Sequence, residues 1–156
     1  MLADGLSTAY RWTKTEKSFI GVDTECLQWT YRGLRIVEEL SRFDPDLIAI
    51  EECDQMPFLS EYLGPRGYAH YFQPKTKSPV RHVAAAMITE RGLEPDALSM
   101  PPDGVAIFFK TQRFALSDTV KVQHIAMDQN EHKLTALAVP LQILSNDDDA
   151  AKSYVD

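Results

Sequence analysis

The stretch "DLIAIEECDQ", residues 46–55, constrains the fold more than any other in the chain. Four apolar residues in a row, entered from a Pro-Asp turn, are too few for a helix and suit a buried strand. That strand runs directly into Glu51, Glu52, Cys53 and Asp54. Carboxylates seldom end a buried strand unless they are paired, solvated or facing a cation. Side chains alternate along a strand, so Glu51 and Glu52 are expected on opposite sides. One then faces solvent or a basic partner, and the other can face a hard cation such as Mg²⁺. An ordinary solvated strand end and a cation site are the two readings that the spacing allows.

The flanking segments set the fold class. Asp23 or Thr24 is placed to cap a helix through "ECLQWTYRGLRIVEELSRF", with Glu25 in its first turn. Trp29, Gly33, Ile36, Val37, Leu40 and Phe43 recur at helical spacing and predict one core-facing stripe. "DPD" at 44–46 stops the helix, because the residue before a proline avoids the helical region. After the "LIAIE" strand, "QMPFLSEYLGPRGY" predicts a short helix closed by Gly64, Pro65 and Gly67, and "YAHYF" a strand. Pro74 to about Asp103 reads as a long, proline-punctuated loop. "GVAIFFK" predicts a strand, "TQRF" a tight turn into "ALSDTVKVQHIAM", and "KLTALAVPLQIL" a further strand. Asp103-Gly104 is expected as a turn, and Tyr71, Phe72, Phe108 and Phe109 as core. The order helix, strand, helix, then consecutive strands predicts a layered α/β or α+β domain whose neighbouring strands pair antiparallel.

Composition matters for what it excludes. The 156 residues suit one domain, and their 44% apolar and 25% charged content is that of a soluble globular protein. No apolar run approaches the roughly 20 residues that span a bilayer. A net charge of −7 disfavours broad electrostatic binding to nucleic acid. One segment runs against it: residues 66–91 carry Arg66, Lys75, Lys77, Arg81 and Arg91 against Glu90, which reads as a solvated loop or a local anion site. Cys26 and Cys53 are isolated, which suits a reducing compartment. The four histidines form no zinc spacing, no serine lies in a nucleophile elbow, and no glycine-rich phosphate loop is present.

Five segments in register then carry a resemblance: "LADGL", "LQWTYRGLRIVEEL", "DPDLIAIEECD", "GYAHYFQPK" and "DGVAIFFKTQRFAL". Together they resemble the nocturnin and carbon-catabolite-repressor deadenylase branch of the endonuclease/exonuclease/phosphatase superfamily. The resemblance implies an α+β, DNase-I-like αββα four-layer sandwich, of which about the first half is present over residues 1–144, followed by a polar acidic tail, 145–156. It implies a Mg²⁺-dependent hydrolase acting on RNA 3′ ends, as a poly(A) exoribonuclease does, or on the 2′-phosphate of NADP(H). Glu52 aligns with the family's metal-binding and catalytic glutamate, with Glu51 where a glutamine is usual. Lys75 matches a lysine near the substrate phosphates, and Asp103 and Gly104 match the family's Asp-Gly, making Lys75 and Asp103 the expected substrate-binding residues. The partners implied are RNA or an adenine dinucleotide, without a membrane, in the cytoplasm or nucleus. The family's early Asn and its later Thr-His-Leu, Gly-Asp-x-Asn and Ser-Asp-His segments have no counterpart here. The expectation is a partial phosphoesterase, inactive as this chain alone, with a catalytically dead binding or regulatory fragment as the alternative.

Overall fold

The computed structural model describes residues 3–5, 7, 21–76, 78, 80, 101–119, 121–129 and 132–144. Most of the expected 74–103 loop and the acidic tail 145–156 lie outside the described residues. Asp23 is a cap, as expected: its carboxylate accepts the Glu25 N–H at 3.0 Å. What it caps is a 3-10 turn, Thr24–Leu27. The backbone then extends at Gln28 (φ −72°, ψ 139°) before α1, Trp29–Phe43, begins. The single helix expected from Asp23 is therefore two elements, because one extended residue interrupts the i→i−4 ladder.

α1 buries Gly33 and Val37 and packs Ile36 and Leu40 against the core. Phe43, expected on the same stripe, is 69% exposed, with the Arg42 guanidinium over its ring. The helix stops where the sequence stops it: Asp44 adopts φ 42° and its N–H donates to the Leu40 carbonyl at 2.9 Å, ahead of Pro45.

Three strands follow: β1, Leu47–Ile50; β2, Tyr68–Pro74; and β3, Gly104–Lys110. They form one antiparallel sheet in the order β1-β3-β2. The sequence predicts a fully buried β1; among the described residues it is an edge strand, in which Ile48 and Ile50 are buried while Leu47 and Ala49 are exposed. Antiparallel sheets need only one covered face, so alternation replaces the continuous burial of a parallel strand. α2, Met56–Leu63, starts with proline in its first turn and ends in the 3-10 turn Gly64–Arg66 and left-handed Gly67. It contributes Leu59 and Leu63 to a core with Ile48, Ile50, Tyr68, Ala106 and Phe108. Each fully buried side chain of that size stabilises the fold by about 1.5–3 kcal/mol. Phe108 and Phe109 are core as expected; Tyr71 and Phe72 are half-buried.

The remaining strands are β4, Phe114–Leu116; β5, Gln123–Gln129; β6, His132–Ala138; and β7, Leu141–Ile143. β5 pairs with β6, and β4 with β7, all antiparallel. "TQRF" is a turn only to Arg113, since Phe114 opens β4. The long strand expected over "KLTALAVPLQIL" breaks at Val139 and Pro140, because proline has no N–H to continue a ladder. The fold class is α+β with antiparallel neighbours, as the sequence implied.

Candidate functional site

The β1–β3 ladder does not end at Ile50 opposite Ala106. Cys53 and Gly104 exchange both backbone hydrogen bonds, at 2.8 and 3.0 Å. Glu51 and Glu52 together therefore oppose Val105, which is a β-bulge. Glu52 takes a left-handed φ of 53°, a conformation that costs a non-glycine residue about 1 kcal/mol or more. A bulge interrupts the regular pleat at the two glutamates. Glu51 is exposed and Glu52 half-buried.

A helical turn containing Asp4, Gly5 and Ser7 lies against the bulge, with the Ser7 N–H donating to the Ala3 carbonyl at 3.2 Å. The first N–H groups of such a turn have no partners within it. Here Ala3 N–H points at Glu52 Oε2, 3.4 Å away, and Gly5 N–H donates to Asp54 Oδ2 at 2.9 Å. Two carboxylates from a distant strand thus cap the turn and suit its positive end. On its other side the turn is tied to α1 through Asp4 and Arg32 at 3.1 Å, and to the 3-10 turn before it through Ser7 Oγ donating to the Leu27 carbonyl at 3.0 Å.

Burial dominates the electrostatics of the two residues after Glu52. Asp54 is 3% exposed and its Oδ1 has no hydrogen-bond partner among the described residues. Burial pushes its carboxyl above the ordinary range, opposed by the Gly5 N–H. The folded state therefore favours the protonated acid, so the stability it contributes is present in acid and declines as pH rises through the raised pKa. The Cys53 thiol is buried and pushed up to about 11 for the same reason. Iodoacetamide at pH 8 is expected to alkylate the exposed Cys26 and spare Cys53 until the chain unfolds. Equal labelling of both thiols in the folded protein, read by mass spectrometry, would contradict this burial.

At the other side of β3, Lys75 N–H donates to the Asp103 carbonyl at 2.9 Å, one rung beyond Pro74 opposite Gly104. Asp103-Gly104, expected as a turn, is instead the point where β3 enters the sheet. Asp103 has no exposed surface. Its Oδ2 receives Lys75 Nζ at 2.6 Å and its Oδ1 receives Ser78 Oγ at 2.5 Å. Lys75 keeps 27% of its side-chain surface open. The β1 and β2 ends and the β3 start are joined by hydrogen bonds, so Glu52, Lys75 and Asp103 lie at one end of the sheet. The broader basic stretch does not converge on them as far as it is described. Arg66 donates to the Tyr62 carbonyl at 2.6 Å and covers that ring, while Lys77, Arg81 and Arg91 lie outside the described residues.

Sequence reasoning missed Asp54 and Ser78. Asp54 stood inside the quoted motif, two residues after Glu52, but its burial depends on the distant turn that caps on it. Nothing local marks Ser78. The expected Mg²⁺ can be tested against these donors. The carboxylate chemistry suits a hard cation that takes six oxygen ligands. The number does not: no group of three or more His, Cys, Asp or Glu converges among the described residues. Glu52 and its neighbours do not by themselves make a complete cation site.

No family model matches the chain. It is 33% identical over 98 residues to nocturnin of Drosophila melanogaster, covering 63% of this chain and 13% of that protein. It is 33% identical over 110 residues to the CCR4-NOT transcription complex subunit 6-like protein of Danio rerio, 67% of this chain and 17% of that one. Human nocturnin is 30% identical over 115 residues, 70% of this chain and 23% of the relative. The chain thus spans roughly an eighth to a quarter of the curated relatives it matches. Among solved structures, the human nocturnin catalytic domain with bound sulfate superposes with a TM-score of 0.57 at 26% identity, over 77% of this chain and 40% of that one. ANGEL2, a 2′,3′-cyclic phosphatase in complex with adenosine-2′,3′-vanadate, superposes with a TM-score of 0.64 at 18% identity, over 92% of this chain and 35% of its own. No helix among the described residues is long and apolar enough to cross a membrane.

Proposed function

The chain is a partial member of the nocturnin and CCR4 branch of the endonuclease/exonuclease/phosphatase superfamily, and on that premise we propose that it supplies one wall of a phosphoesterase active site. The whole enzyme hydrolyses RNA 3′ ends or the 2′-phosphate of NADP(H), with Mg²⁺ as cofactor. Glu52 contributes one oxygen ligand to the ion, and Lys75 draws in the phosphoryl group. The observation that supports this reading is the placement of Glu52 and Lys75 at the same end of one sheet, with Glu52 held on a bulge in a costly backbone conformation. Strain of that kind clusters at functional sites. The sulfate in the human nocturnin domain, an analogue of phosphate, suits a fold that recognises phosphoryl groups.

The 156 residues alone are proposed to be inactive. A lone carboxylate competes poorly with water for an ion that demands near-octahedral oxygen ligands, and the described residues offer no group of three donors. The binding-fragment alternative shares this observation, and one experiment separates the pieces. Mn²⁺, titrated as a paramagnetic substitute, is expected to broaden the amide resonances of residues 51–54 at millimolar concentration. The same sample is expected not to turn over an oligoadenylate or NADP. Broadening confined to other acidic residues would overturn the role of Glu52. Turnover by the isolated chain would overturn the proposed incompleteness.

A further inference from the structure

Resting on the anion-binding role given to Lys75 above, we infer that Asp103 and Ser78 are positioning residues that fix the Lys75 ammonium for a phosphate-like anion without touching the anion themselves. Asp103 is fully buried, so no ligand reaches it. Both of its carboxylate oxygens are engaged, one by Lys75 Nζ at 2.6 Å and one by Ser78 Oγ at 2.5 Å. Ser78, 1% exposed, also accepts the Asp103 N–H at 3.2 Å. Donating to the side chain and accepting from the backbone of one residue closes a ring, which sets the plane of the carboxylate.

The consequence falls on Lys75. A lysine side chain has four rotatable bonds, and ordering it at the moment of binding costs affinity. Here one of the three ammonium donors is committed to a carboxylate that cannot rotate, which leaves two for an incoming oxyanion. Ser78 is itself held by its two hydrogen bonds to Asp103. Val80, also fully buried, packs against Gly5, whose N–H donates to Asp54.

The test uses inorganic phosphate as the probe, titrated into the full chain and followed by the proton–nitrogen resonance of the Lys75 ammonium. In the wild type that resonance is expected to persist, shielded from exchange by Asp103, and to shift as phosphate binds. Ser78→Ala, which leaves every charge in place, is expected to lose the persistent resonance and to bind phosphate about three- to tenfold more weakly. Lys75→Gln is expected to lose binding. Equal affinity in Ser78→Ala and wild type overturns the inference while leaving the Lys75 role intact. Undiminished binding by Lys75→Gln, or none by the wild type, overturns both. Should Ser78→Ala fail to fold, Asp103→Asn decides the matter: weaker binding supports positioning. Unchanged or tighter binding shows that Asp103 does not position Lys75, and overturns the inference.

Discussion

Gly104→Ala is expected to destabilise the chain by about 3 kcal/mol, a large share of the roughly 5–15 kcal/mol that holds an ordinary domain folded. A Cβ at position 104 would overlap the carbonyl oxygen of Gln73 and lie 2.7 Å from the Phe72 ring. The first of these is backbone in the neighbouring strand and cannot swing away. Relief would require parting β2 from β3 at the rung that also carries the Cys53–Gly104 hydrogen bonds and leads to Lys75. Gly64→Ala is the control, since an added methyl there meets nothing within 4 Å and the backbone is helical. Urea unfolding followed by circular dichroism distinguishes the two. A midpoint for Gly104→Ala equal to that of the control would show that the strands are not packed this closely.

Glu52 is expected to separate stability from function. Glu52→Gly relieves the left-handed backbone at φ 53°, and the expected gain is about 0.5–1 kcal/mol after the entropic cost of glycine. The bond that it loses is weak, an Ala3 N–H 3.4 Å from the carboxylate. On the reading proposed above, the same substitution removes a ligand to the cation. In a protein that joins these residues to the rest of the catalytic domain, Glu52→Gly and Glu52→Gln should each lower kcat by about a hundredfold or more, in line with losing one charge-stabilising group in an active site. Thermal melting and an oligoadenylate or NADP assay read the two effects independently. A Glu52→Gly variant that loses stability and keeps its rate would mean that the glutamate is a structural cap for the turn at Asp4 and Gly5 and nothing more.

The local elements were legible because their signals are local. Pro45 ends α1, Gly64 and Gly67 close α2, and the short continuous apolar runs mark β1 and β3. Where the reading failed, a residue's fate depended on something far away in sequence. Among the described residues β1 is an edge strand, because β3 joins it on one side only. Pro140 breaks the apolar run over residues 133–144 locally, but the partners its two halves take, β5 and β4, are set by segments elsewhere in the chain.

Local residue patterns determined the helices and the principal strands, and the order of five motifs along the chain determined the resemblance and with it the choice of Glu52, Lys75 and Asp103. Only the tertiary structure decided what those side chains do to each other. The bulge at Glu51 and Glu52 arises from the register of β1 against β3, more than 50 residues apart in the chain. The burial of Asp54 needs the turn that carries Gly5, and that of Asp103 needs Lys75 and Ser78 folded over it. Pairing register and burial are properties of contacts between distant segments, and no local propensity encodes them.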